Sequence, residues 1–295
     1  MRDLDVVIPE SVEQCLEALE RYAGDAVPMA GGTDLRVLMR AGAKEPAVLV
    51  WLGRLDVLRY IREDSSGISI GPIVTHAEVA RAGTLGRIAS LRKAAGAVGS
   101  PQIRNVGTAG GNLANASPAG DLYPPLLTMD AEVVVKGRRG DRTVKLEDFA
   151  EGPGETGLGY DEILASIRFQ APPEGTYTDF NKLGLRNAVA ISVASCAIFA
   201  RTKNGRFDDV RIACGAVAPK AIRMRAVEDL LGGEKLTAEL VREVEAATSR
   251  ICDPITDLRA SADYRRHVAG VIVSRLVEDA WSGLTGEVCY GGEEK

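Results

Sequence analysis

The chain has 295 residues, 45% of them apolar, 26% charged and 5% aromatic, which excludes a disordered protein and predicts two or three packed domains. Its 36 Lys and Arg against 41 Asp and Glu leave a net charge of −5, so there is no basic footprint for a phosphate backbone and nucleic acid is not an expected partner. No run of 18 apolar residues exists, and Met1-Arg2-Asp3-Leu4-Asp5 lacks a basic-then-apolar leader; the sequence reads as cytoplasmic, without a transmembrane segment.

In chain order, the first element is a helix opened by Ser11 as N-cap with Gln14 completing a capping box, its apolar stripe running through Val12, Cys15, Leu16, Leu19 and Tyr22. Short apolar runs at Ala26–Ala30 and Ala47–Leu52 flank a Gly-Gly turn and a brief helix over Asp34–Arg40, the βαβ pattern of a small parallel sheet. Residues 1–60 form a first lobe on this reading.

A second lobe, residues 61–173, opens with a strand at Gly67–Gly71 and helices near Thr75–Ala82 and Leu85–Val98. The Gly/Asn/Ser/Pro segment from Gly99 to Gly120 follows, 22 residues without periodicity and expected to be irregular; a loop of that length in a compact domain points to function. Then come a helix over Leu122–Met129 and strands at Ala131–Lys136, Arg142–Leu146 and Glu162–Phe169. Pro172-Pro173-Glu174-Gly175 is the strongest break. Residues 174–295 read as a third unit of three strands (Thr176–Gly184, Ser192–Thr202, Val210–Val217) and helices at Arg223–Leu231, Thr237–Cys252 and Ser261–Trp281, with a frayed Gly291–Lys295 tail. Ser192–Arg201 is nearly continuous in small and apolar residues and is expected to be buried on both faces.

The five cysteines, Cys15, Cys196, Cys214, Cys252 and Cys289, are too far apart for a disulfide framework or a clustered metal site and are expected to be reduced and structural. His76 and His267 have no acidic or cysteine neighbours at metal-ligand spacing, so no metal site is expected. Redox chemistry would have to come from a bound cofactor.

Two segments carry chemistry. Ala30-Gly31-Gly32-Thr33-Asp34 lies between a strand and a helix start, where glycines let backbone N–H groups approach an anion. Taken alone, this is as well read as a tight turn. The second segment, Arg104 to Asp121, combines Gly110-Gly111 with Thr108, Asn112, Asn115, Ser117 and Asp121, short polar side chains able to bond phosphate, ribose or ribityl oxygens on a backbone read as non-helical. Asp121, as a charged acceptor, suits hydroxyls and repels phosphate. Neither segment fits G-x-x-x-x-G-K-[ST] or G-x-G-x-x-G.

Together Ala30–Leu35 and Ile103–Asp121 resemble the FAD-binding medium subunit of the molybdenum hydroxylases, the family of flavin subunits of aerobic carbon monoxide dehydrogenase and of bacterial xanthine, nicotinate and quinoline dehydrogenases. Asp161–Ile167 and Cys252–Arg265 resemble later signatures of the same family, so the likeness spans nearly the whole chain. The resemblance implies an α+β protein: a two-lobed FAD-binding domain of the vanillyl-alcohol-oxidase (PCMH) type, then a small C-terminal domain. It further implies that Ala30, Gly31, Gly32, Thr33 and Asp34 close on the FAD pyrophosphate from one side and Thr108, Ala109, Gly110, Gly111 and Asn112 from the other. By the same carry-over Asp121 would bind sugar or ribityl hydroxyls, Leu164 would border the isoalloxazine ring and Lys182 would lie near its polar edge.

The implied function is an electron-transfer oxidoreductase subunit with no catalytic residue of its own. It would work beside a small iron–sulfur subunit and a large molybdenum subunit, in a complex that is usually doubled. Two departures stand out: Arg186–Ser192 offers Ile191 where some relatives place an aromatic residue over the flavin, and no cysteine-rich insertion for an extra cluster is present. The competing reading is a self-contained flavin oxidase or dehydrogenase, which would need its own substrate pocket and placed base.

Overall fold

The computed structural model describes residues 4–186 and 189–288. Met1 to Asp3, Asn187, Ala188, Cys289 and the Gly291–Lys295 tail, on which some sequence expectations fall, lie outside the described residues.

Three sheets organise the chain. The first is parallel, in the order β1 (Asp5–Val7), β3 (Val48–Trp51), β2 (Ala26–Met29). Helix α1 (Val12–Tyr22) covers it, with Cys15, Leu16 and Leu19 in a core shared with Val48 and Val50. Ser11 caps α1 by accepting from the Gln14 N–H at 3.2 Å, while the Gln14 side chain reaches back to Glu10 N rather than to the cap itself. After β2 the chain turns through the first diglycine segment into α2 (Leu35–Arg40).

The second sheet has the order β4 (Ile61–Asp64), β5 (Gly67–Ile70), β10 (Glu162–Phe169), β6 (Glu132–Gly137), β7 (Gly140–Lys145), all antiparallel. Helices α3 (His76–Arg81), α4 (Ala89–Ala97), α5 (Pro101–Arg104), α6 (Ala109–Ala114), α7 (Tyr123–Thr128) and α8 (Leu146–Phe149), with a small hairpin of β8 (Ala150–Gly152) and β9 (Glu155–Thr156), complete this part. Two expectations need correction. The helix read over Leu85–Val98 starts only at Ala89, because a 3₁₀ turn at Gly83–Leu85 precedes it. The Gly99–Gly120 segment is not irregular throughout: Ser100 and Thr108 cap two short helices by accepting the N–H three residues on, and those local caps replace the missing hydrophobic periodicity.

The third sheet joins β11 (Tyr177–Gly184), β12 (Ser192–Lys203) and β13 (Arg206–Gly215) as antiparallel neighbours, with a two-residue β14 (Ile222–Arg223) added to the three strands read from sequence. Helices α9 (Arg225–Leu231), α10 (Ala238–Ile251) and α11 (Ala262–Thr285) follow. Ala194, Cys196, Ile198 and Ala200 face a core with α10 and α11, whereas Ala197 and Phe199 on the opposite face belong to the core of the second sheet. Alternation on a strand sends successive side chains to opposite faces, and both faces are covered, which is why the run Ser192–Ala200 is buried throughout. Cys196 and Cys214 sit opposite each other in this sheet with Sγ atoms 3.1 Å apart; with Cys15 and Cys252 they are free and buried. No helix among the described residues is long and apolar enough to cross a membrane.

Candidate functional site

The parallel sheet delivers Ala30–Asp34 against the second diglycine segment. The contact is between backbones: a Cβ built on Gly31 would lie 2.0 Å from the Val106 carbonyl oxygen, so only glycine permits this approach. Gly32 has φ +67°, the left-handed region that glycine enters at no steric cost. Among the described residues, the backbone N–H groups of Gly31, Gly32, Thr33 and Asp34 have no acceptor within the chain. Four adjacent unpaired donors on a half-exposed turn are free to donate to an anion.

The second segment is built differently. Ala109 N–H donates to Val74 O at 2.8 Å and Gly110 N–H to Pro72 O at 2.9 Å, while Gly111 N–H donates to the Thr108 hydroxyl at 3.1 Å and Asn112 N–H to Thr108 O at 3.0 Å. These four donors are therefore engaged by the chain. What it turns toward the cavity is Thr108, Gly111, Asn112 and Asn115, whereas Ala109 and Gly110 are buried against the Pro72–Val74 strand end.

Between the two segments lies an open cleft with about 140 Å³ of water-accessible space. Ala30, Gly31, Gly32, Thr33, Asp34, Thr108, Gly111, Asn112 and Asn115 all line it, so nine of the sequence-derived candidates converge. A second cleft shares Ala30, Gly31 and Thr108 with the first and continues past Trp51, Arg59 and Asn105.

The other candidates lie elsewhere. Ser117 turns the loop by accepting from Ala119 N–H. Leu164 is 5% exposed, inside the core of the second sheet. Asp121 and Lys182 form a buried ion pair, Nζ to Oδ2 2.6 Å, and the Ser192 hydroxyl donates to Asp121 Oδ1 at 2.6 Å. Burial pushes the Asp121 carboxyl above its ordinary value, and the Lys182 ammonium and the Ser192 hydroxyl pull it back without cancelling the rise. The Lys182 charge is thus balanced within the chain, which weakens its attraction for an added anion.

Sequence reading missed His76. It is the first residue of α3, 3% exposed, and its ring is part of the cavity wall. Asking only whether it had metal-ligand neighbours hid it; the signal was Thr75-His76-Ala77-Glu78, a capping box that fixes a histidine at a helix start. Among the described residues no three His, Cys, Asp or Glu side chains gather to hold a metal ion.

Comparison with known proteins gives a consistent answer. A family profile described as the FAD binding domain in molybdopterin dehydrogenase matches residues 2–172, and one described as the CO dehydrogenase flavoprotein C-terminal domain matches residues 180–280. The chain is 33% identical over 275 residues to the carbon monoxide dehydrogenase medium chain of Hydrogenophaga pseudoflava, covering 93% of this chain and 96% of that one. It is 31% identical to the nicotine 6-hydroxylase medium subunit of Paenarthrobacter nicotinovorans, covering 92% and 95%. The solved structure of carbon monoxide dehydrogenase from Hydrogenophaga pseudoflava that lacks the Mo-pyranopterin moiety superposes with a TM-score of 0.92 at 32% identity, covering 96% of this chain and 98% of the matched chain.

Proposed function

This chain belongs to the FAD-binding subunits of the molybdenum hydroxylases, and from that premise we propose that it is the electron-transfer subunit of such a complex, taking electrons from a partner's iron–sulfur clusters to an external acceptor. FAD supplies the electron-carrying chemistry when bound; the residues of this chain hold, orient and shield it. The observation that carries the reading is the turn at Gly31–Asp34, whose four unpaired N–H groups suit the oxygens of a diphosphate and cost free energy if nothing accepts from them. Asn112 and Asn115, facing the same cleft, add amide groups for phosphate or ribose oxygens, and Gly111 leaves the wall without a side chain where a ligand backbone would pass. Asp121 and Lys182, already paired with each other, would meet the cofactor as a nearly neutral unit.

We assign residues 1–60 and 61–173 to the two FAD-binding lobes and 174–295 to the C-terminal domain, supported by the separate sheets spanning Asp5–Trp51, Ile61–Phe169 and Tyr177–Arg223. The partners are a small iron–sulfur subunit and a large molybdenum subunit, a reading supported by relatives that are named as medium chains. We place the complex in the cytoplasm, where four free buried thiols persist.

Expressed alone, the chain is expected to hold one FAD without a covalent link and to release it on acid precipitation. Co-expressed with the genes flanking its own, it is expected to purify in a complex containing iron and molybdenum. A chain without flavin, or turnover of an organic substrate by the chain alone, contradicts the reading, and the second result favours a self-contained flavin oxidase.

A further inference from the structure

We propose that His76 is an additional binding residue of this site, its Nε2–H donating to an oxygen of the dinucleotide's diphosphate; the inference rests on the FAD reading above.

The geometry fixes the residue at the start of α3 before any ligand arrives. Thr75 and Glu78 close a capping box (Thr75 N–H to Glu78 Oε2 2.7 Å, Glu78 N–H to Thr75 Oγ1 3.2 Å), and the His76 N–H donates to Gly107 O at 3.0 Å. The His76 backbone is thereby held between the start of α3 and the loop leading into the second diglycine segment. The ring edge and the first turn both flank Gly107: a Cβ built there would meet His76 Cδ2 at 3.2 Å and Thr33 Oγ1 at 3.3 Å. His76 and the turn that carries the unpaired N–H groups line the same cleft.

The proton count selects the atom. Burial, aided by the Arg104 guanidinium, pushes the His76 pKa down to about 4, so the ring is neutral near pH 7, with one N–H and one lone pair. Nδ1 is sealed within the protein and has no partner. A sealed N–H without an acceptor is rarer and costlier than an unused lone pair, which places the proton on Nε2. Nε2 also lacks a partner within the chain, but it is not sealed, and the ring lines the cavity. A neutral donor on the wall of a cleft that also holds the four unpaired N–H groups has an acceptor in the diphosphate.

The test uses the full chain stripped of flavin and titrated with FAD. His76→Phe keeps a ring in place and removes the donor; it is expected to weaken FAD binding about tenfold or more, as the loss of a hydrogen bond to a charged group requires. His76→Gln, whose amide restores an N–H near the position of Nε2, is expected to recover affinity to within about threefold of wild type. Phosphorus NMR of bound FAD should show shifted diphosphate resonances in His76→Phe. Nitrogen NMR is simple because the sequence has only two histidines: FAD should move the His76 signals of an Nε2–H tautomer and leave His267 unchanged. Wild-type affinity and unchanged phosphorus signals in His76→Phe overturn the role of His76 while the FAD reading stands. Equal loss in His76→Phe and His76→Gln with unchanged phosphorus signals also overturns it, since the ring would then only fill space. A wild-type chain that binds no FAD removes the underlying reading instead.

Discussion

The two diglycine segments carry the same pair of residues and use them in opposite ways. At Gly31–Asp34 the backbone donors are left over, and the glycines let the turn press on the Val106 carbonyl and adopt a left-handed φ at Gly32. At Ala109–Asn112 the donors are engaged by Val74, Pro72 and Thr108, and Gly110 is small because Pro72 would lie 2.4 Å from its Cβ. The first turn leaves its donors free for a ligand; the second is mostly a buttress, with Thr108, Gly111, Asn112 and Asn115 reaching the cleft. A Gly-Gly pair in a sequence says that a backbone comes close to something. Where its N–H groups go decides whether that something is the ligand or the chain.

The comparison breaks most visibly at the point where the segments touch. Gly31→Ala places a methyl group 2.0 Å from Val106 O, and neither backbone can yield without separating the two segments. Overpacking of this kind costs about 3 kcal/mol, near the upper end of its usual range. The variant is expected to unfold at clearly lower denaturant concentration and to retain no FAD. Wild-type stability would show that the contact is slack and that the shape of the first turn does not depend on the second.

Much of this architecture was legible in the sequence, for physical reasons that also explain the failures. Helix α1, strands β10 to β13 and helices α10 and α11 declare themselves through strong periodicity or long apolar runs. Strands β1 and β4 were missed because they are short edge strands, largely exposed, with no alternation to read. Helices α5 and α6 were hidden by glycine and small residues, although Ser100 and Thr108 are ordinary N-caps. The two polar glycine-rich segments stand out in the sequence, and one cleft brings nine of the fifteen candidates together. The pairing of Asp121 with Lys182 and Ser192, some sixty to seventy residues away, is a tertiary fact that no local pattern reports.

A smaller effect sharpens the contrast from the buttress side. Thr108→Val keeps the shape of a side chain that is 6% exposed and removes the oxygen that accepts from Gly111 N–H. Losing this cap is expected to cost about 1 kcal/mol of stability. FAD affinity is expected to stay within about threefold of wild type, because the cap serves the helix and a freed Gly111 N–H adds a donor at the cleft. Chemical denaturation and FAD titration of the same preparation separate the two quantities. Abolished FAD binding at unchanged stability would reverse the assignment and make the second segment the ligand-holding arm.

The smallest expected change in stability belongs to Gly111→Ala, which isolates the one glycine of the second segment that faces the cleft. Its new Cβ would lie 2.9 Å from the Thr108 hydroxyl and meet no other atom within 4 Å, so the cap must shift or break at a cost of about 1 kcal/mol. Against this, replacing glycine by alanine within α6 stabilises the helix by roughly 0.5–1 kcal/mol, because the unfolded chain loses more freedom at glycine. The two effects nearly cancel, and the melting temperature is expected to remain within a few degrees of wild type. Binding has no such compensation, since the methyl group projects from the cavity wall where only a hydrogen stood. An FAD affinity lowered by about tenfold, or roughly 1.4 kcal/mol, with stability unchanged is the outcome that assigns this glycine to the ligand. Unchanged affinity would mean that the whole second segment, Gly111 included, is small for the sake of the fold alone.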